Sequence, residues 1–193
     1  MRMKETSSHE FRQLAEELTT LLAYEVTETF STKEIEIETP ICKTTQSVLE
    51  HKNITIVPIL RAGLGMLQGM LNVMPTAKVA HIGLERNDET LEIREYYRKL
   101  PPDFQDSIII IIDPMLATGG SAEHAISIFK DAGCKDIRLV NILAAPEGIE
   151  AIHKKHPEIP IYCAAIDEKL NEHGYIVPGL GDAGDRICDT VPE

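Results

Sequence analysis

Ser107-Ile-Ile-Ile-Ile-Ile-Asp-Pro-Met-Leu-Ala-Thr-Gly-Gly-Ser-Ala122 places five consecutive isoleucines before a single carboxylate, and follows it with a small hydroxyl-bearing turn containing paired glycines. A β-branched run without alternation suits a central parallel strand covered on both faces. Asp113 then falls at the carboxyl end of that strand. From Ser121 onward, Ala122, Ala125, Ile126, Phe129 and Ala132 recur at helical spacing until Gly133, so Thr118, Gly119, Gly120 and Ser121 lie where a helix begins. Unpaired N–H groups and the positive end of the helix dipole meet there. Glycine lets the backbone approach an anion closely, and Thr118 and Ser121 add hydroxyl donors. The stretch predicts a buried strand delivering a phosphate cradle.

The bulk properties limit what such a cradle serves. At 193 residues and 43% hydrophobic, the chain suits one α/β domain with its own core. No run of 18 apolar residues and no apolar leader occur, which predicts a cytoplasmic protein without a membrane partner. Cys42, Cys134, Cys163 and Cys188 are far apart and form no C-x-x-C pair, which argues against zinc or a disulfide framework. His153 and His156 are three residues apart but have lysine neighbours and no third ligand, so a solvated helix end is expected. A net charge of −12 opposes a nucleic-acid partner. Positive potential for an anion must come from a few arginines and from backbone N–H groups.

Working outward, Phe11, Leu14, Ala15, Leu18, Leu21 and Leu22 predict an amphipathic helix over 9–23 with Ser8 as its cap. Residues 27–39, alternating in Ile35-Glu-Ile-Glu, predict a strand with one covered face, followed by a short helical bridge. Expected next are a buried strand over 53–60, a tight turn at Arg61 to Gly65, a helix over 66–73 and a strand over 77–84. The charged, aromatic stretch from Asp88 to Lys99, closed by Pro101-Pro102, reads as a mobile flap, about 87–102. A strand over 137–143, a helix opened by Pro146 and a strand over 159–166 complete an α/β pattern with a mostly parallel central sheet and helices on both faces. Ligands bind beyond the carboxyl ends of such strands, and Arg61, Arg86 and Asp113 all fall there.

Two common nucleotide motifs do not account for the cradle. No G-x-x-x-x-G-K-[ST] occurs, and Gly179-Leu-Gly-Asp-Ala-Gly184, although it matches G-x-G-x-x-G, leaves no room for a dinucleotide unit after it. Instead, Asp113 to Ser121 resembles the phosphoribosyl-diphosphate (PRPP) loop of the phosphoribosyltransferases, in the wording of their uracil branch. Val57-Pro-Ile-Leu-Arg-Ala-Gly-Leu-Gly65, Ala144-Ala-Pro-Glu-Gly148 and Asn171-Glu-His-Gly-Tyr-Ile-Val-Pro-Gly-Leu-Gly-Asp-Ala-Gly-Asp185 are similar to other signatures of that family. The resemblance runs from about Phe11 onward. It implies one phosphoribosyltransferase domain over 1–193 with a small hood, a β-hairpin flap and a uracil-binding loop at about 171–185.

The activity implied by the resemblance is the joining of uracil and PRPP to give UMP and diphosphate, in pyrimidine salvage. The implied PRPP contacts are Arg61, Arg86, the run Asp113, Pro114, Met115, Leu116, Ala117, Thr118, Gly119, Gly120 and Ser121, and Asp182. Chemically, the cradle suits the 5-phosphate, Asp113 the ribose hydroxyls, and the two arginines the charge gathering on the leaving diphosphate. Related enzymes hold a strained or cis peptide at the turn Arg61-Ala62-Gly63, and the same is expected here. Ile176, Gly181, Asp182 and Ala183 are the implied uracil contacts, chiefly through backbone atoms. Asp182 and Arg61 are the catalytic candidates, although no side chain stands out as the base for the N1 proton.

Mg2+ is expected to arrive with PRPP, near Asp113 and Asp182. Many relatives carry two adjacent acids where this chain has Asp113-Pro114, so no protein-only metal site is assigned. The family implies a homo-oligomer and, in some members, a nucleotide effector such as GTP; a short segment before the first helix puts the usual subunit contacts in question. A purine-specific transferase, or an RNA-binding regulator on the same fold, competes with this reading. The uracil-like loop opposes the first and the acidic composition the second.

Overall fold

A computed structural model describes residues 1–50, 53–86 and 93–190. In chain order the elements are α1 (Ser8–Glu28), β1 (Thr32–Glu38), β2 (Lys43–Leu49), β3 (Ile54–Leu60), α2 (Leu64–Val73), β4 (Lys78–Val79), β5 (His81–Arg86), β6 (Ile93–Lys99), β7 (Ile108–Ile112), β8 (Met115–Leu116), α3 (Gly120–Asp131), β9 (Ile137–Ala144), α4 (Pro146–Lys155), β10 (Ile161–Ile166), β11 (Lys169–Leu170), β12 (Ile176–Val177) and α5 (Ala183–Cys188). The main sheet has the order β10-β9-β7-β3-β5-β6. Its pairings are parallel except for β5 with β6 at one edge.

The isoleucine strand β7 is central and wholly buried. Side chains alternate across a sheet, and here each set meets helices. Ile109 and Ile111 join Val57 and Ile59 under Ala125, Ile126 and Phe129 of α3 and Ile152 of α4. On the other face Ile108, Ile110 and Ile112 pack with Ile56 against Ala15, Leu22 and Val26 of α1 and Met66 and Met70 of α2. Two covered faces explain why the strand shows no polar alternation.

The first helix extends beyond both expected ends. Ser7, not Ser8, is its cap, accepting the Glu10 N–H at 3.2 Å, while the Ser8 hydroxyl bonds Asp189 at 2.6 Å. Either serine is chemically competent, and tertiary contacts choose between them; buried Val26 keeps the helix going past residue 23. The helical bridge is a larger correction, because residues 43–49 form β2, antiparallel to β1 from Thr32↔Leu49 to Glu38↔Lys43. Their Thr and Val content suits a strand, and most of both strands is exposed rather than covered on one face.

The strand expected over 77–84 divides into β4 and β5, both paired with β3. Part of the expected flap, residues 87–92, lies outside the described residues; its return strand is β6. Beside the sheet, β11 and β12 pair antiparallel and, with α5, form a small hood around Ile176, Leu180, Ala183 and Ile187. Among the described residues no helix is long and apolar enough to cross a membrane.

Candidate active site

Strand order reverses between β3 and β7: the chain leaves β3 toward β5 and leaves β7 toward β9. Such a switch point opens a crevice beyond the strand ends. Arg61 follows β3 and Asp113 follows β7, and these adjacent strands pair through Pro58↔Ile112. The Leu60–Arg61 peptide, at the entrance to the expected turn, is cis. Arg86 ends β5 opposite Ile93.

Asp113 is half-buried. Burial pushes its carboxyl up to about 7, with a smaller push from the charge of Asp182 and opposition from the Met115 N–H. The folded protein therefore holds a proton on Asp113 that the unfolded chain releases near pH 4, and the stability this group lends is lost as pH rises from about 4 to about 7. Asp113→Asn should then melt at a higher temperature than the wild type at pH 8, with the gap closing toward pH 4. Calorimetric melting at both pH values checks this, and a gap that does not change with pH would disprove it.

The cradle is supported from behind. Pro114 C=O accepts the N–H groups of Ile142 and Leu143 at 3.0 and 2.9 Å, and Met115-Leu116 adds to β9 as β8. Gly119 takes φ +84°, where a side chain would be strained, and α3 starts without a side-chain cap. Its first N–H groups are thus left for an anion. Gly148 of α4 touches the cradle so closely that a Cβ there would lie 2.4 Å from Ala117 O. That contact gives a physical reason for the glycine in Ala144-Ala-Pro-Glu-Gly148.

Facing the cradle is the loop after β12. Val177–Pro178 is cis, Gly179 and Gly181 take φ +65° and +81°, and Asp182 caps α5 by accepting the Asp185 N–H at 2.8 Å. Ala117 and Thr118 of the cradle and Ile176, Gly181, Asp182 and Ala183 of the loop line one cavity of about 750 Å³. Arg61 does not line it; its guanidinium lies 3.5 Å from Asp185 at the side. Residues just ahead of the α3 N-terminus thus share one space with a glycine-rich main-chain loop, whereas Asp113, Gly119, Gly120 and Ser121 do not line it.

The sequence profile of uracil phosphoribosyltransferase matches residues 1–190. The chain belongs to the uracil phosphoribosyltransferase family. A uracil phosphoribosyltransferase of Finegoldia magna is 60% identical over 190 residues, spanning 98% of this chain and 91% of its own. A solved protein structure from Aquifex aeolicus is 42% identical, with a TM-score of 0.89 over 96% of this chain and 89% of that one. A purine phosphoribosyltransferase structure from Pyrococcus horikoshii shares the fold at 16% identity, with a TM-score of 0.56 over 81% of this chain and 85% of its own.

This member of the uracil phosphoribosyltransferase family contains site-supporting residues that sequence reasoning missed. Asn141, fully buried in β9, donates from Nδ2 to the main-chain oxygen of Asp113 at 2.7 Å. A lone amide inside an apolar strand was the available signal, since buried polar groups need partners. Arg186 donates to Leu180 O at 2.8 Å and stacks on Phe11 at 4.5 Å. Arg2 and Asp167 hold Gly179, and no local pattern announced them.

Proposed function

We propose that this enzyme joins N1 of uracil to C1 of PRPP, releasing diphosphate and forming UMP. The observation that carries the reading is the cavity that Ala117 and Thr118 of the cradle share with Ile176, Gly181, Asp182 and Ala183 of the loop. At its edge the run Asp113 to Ser121 takes the ribose 5-phosphate end, with phosphate on the N–H groups of Thr118 to Ser121 and ribose hydroxyls on Asp113. Anchoring the non-reacting end orients C1 for attack. Arg61 and Arg86 neutralise the diphosphate as the C1–O bond breaks. Ile176, Gly181 and Ala183 read uracil through main-chain groups, because the ring offers acceptor O4 and donor N3–H where cytosine offers the reverse.

Asp182 receives the proton that leaves N1 as the N1–C1 bond forms. One of its oxygens accepts the Asp185 N–H, and the other is assigned to the base. Asparagine caps helices as well as aspartate, so Asp182→Asn keeps α5 and should lower kcat by about 10²–10⁴ with little change in KM for PRPP. Equal losses in both would make Asp182 a binding residue only.

Among the described residues no group of three or more His, Cys, Asp or Glu is placed to hold a metal ion. Mg2+ carried in on the PRPP phosphates, with one or two carboxylates such as Asp113 and Asp182 completing its shell, needs no such group. Bound there, the cation would screen phosphate charge. Cytoplasmic salvage, a homo-oligomeric state and a response to GTP complete the reading by family resemblance. Incubation with Mg2+, PRPP and separately uracil, cytosine, hypoxanthine, adenine or orotate tests it: UMP from uracil alone is expected, and product from another base would overturn the loop assignment.

A further inference from the structure

The Ile176–Ala183 loop is held from the side away from the cradle cavity. Arg2 Nη1 and Nη2 donate to Asp167 Oδ2 and Oδ1 at 2.6 and 2.7 Å, a two-pronged ion pair. Arg2 Nη1 also donates to Gly179 O at 2.9 Å, and Gly179 N–H donates to Asp167 Oδ2 at 2.8 Å. Both main-chain polar groups of one buried glycine are thus bound by one ion pair. The position admits no side chain, because a Cβ there would fall 2.1 Å from Ile176 O. Asp167 is itself fixed, with an 8% exposed side chain and its N–H on Ala144 O at the end of β9.

Neither Arg2 nor Asp167 lines the cavity shared with the cradle. Arg2 instead faces a second cavity of about 470 Å³, bounded also by Pro178, Gly179 and Arg186 and meeting the cradle cavity at Gly181 and Asp182. Any influence on the base must therefore pass through the loop. Bidentate guanidinium–carboxylate pairs are directional, which makes them suited to setting backbone position. We propose that Arg2 and Asp167 are positioning residues for uracil, clamping Gly179 so that Gly181 to Ala183 present their main chain at a fixed place in the cleft. The inference rests on the function proposed above. The donor's phosphate cradle belongs to β8 and α3, outside the clamp, so the two substrates should feel its loss unequally. The guanidinium keeps the Asp167 carboxyl below its ordinary range, so the pair stays charged at neutral pH.

The test varies each substrate in turn for the wild type, Arg2→Ala, Arg2→Lys and Asp167→Asn, and follows amide exchange at Gly179. Arg2→Ala is expected to raise KM for uracil on the order of tenfold, leave KM for PRPP within about twofold, and speed exchange at Gly179. Arg2→Lys, which keeps the charge, should recover part of the uracil affinity. Asp167→Asn, which keeps an acceptor for the amide, should have an intermediate effect. An unchanged uracil KM, a parallel rise in both KM values, or undisturbed Gly179 exchange in Arg2→Ala would each overturn the clamp. A wild-type protein that makes no UMP would instead overturn the function on which the base role rests.

Discussion

Arg61→Ala is expected to lower kcat/KM for PRPP by about 10²–10³, the scale seen when one donor to a developing oxyanion is removed. On the proposed function diphosphate gains charge as it departs, and Arg61, a permanently charged planar donor after β3, is the residue proposed to meet it. Stability should scarcely change. The side chain is 58% exposed and its ion partner Asp185 stands 3.5 Å away, and exposed pairs of this kind contribute about 0–1 kcal/mol. Arg61→Lys restores charge without the fork and should recover only part of the rate. Steady-state kinetics beside a melting curve separates these effects: a rate loss below about tenfold would remove Arg61 from the leaving-group role.

Gly63→Ala should act in the opposite way, through the fold. A Cβ at this position would sit 2.6 Å from Ile112 O and 2.7 Å from both Ile59 N and Ile59 O. All three are backbone atoms, so no side chain can swing aside. Relief requires β3 and β7 to separate at their carboxyl ends, where Arg61 and Asp113 begin. Forced overpacking costs about 3 kcal/mol, which for a chain of this size is a fall of roughly 6–12 °C in Tm. Activity measured well below that Tm should also drop by about tenfold or more, since small displacements of positioned groups are costly. Thermal melting and kinetics on the same sample check it; an alanine variant with unchanged Tm would show that the turn tolerates a side chain.

Much of the site was legible because its signals are local. The isoleucine run marks a doubly covered strand whichever helices cover it, and Asp113 follows it in the chain. The cradle depends on glycines and hydroxyls next to a helix start. Both remain contiguous in the fold, as does the loop from Ile176 to Ala183. The misreadings arose where two local options were nearly equal. Ser7 and Ser8 can each cap a helix, and the contact between Ser8 and Asp189 settles that choice. Residues 43–49 became a strand through pairing with β1, a partner that periodicity within the segment does not reveal.

The sequence by itself therefore determined the α/β class, the central strand and the glycine-bearing turn and loop on which the proposed phosphate and base sites rest, because each is written in neighbouring residues. Only the tertiary structure decided which supports hold those parts in place. Arg2 reaches Asp167 across 165 positions, and Asn141 reaches the Asp113 carbonyl across 28. The raised proton affinity of Asp113 comes from burial and from Asp182. Desolvation, charge proximity and long-range hydrogen bonds depend on distances in space, and those distances exist only once the sheet has assembled.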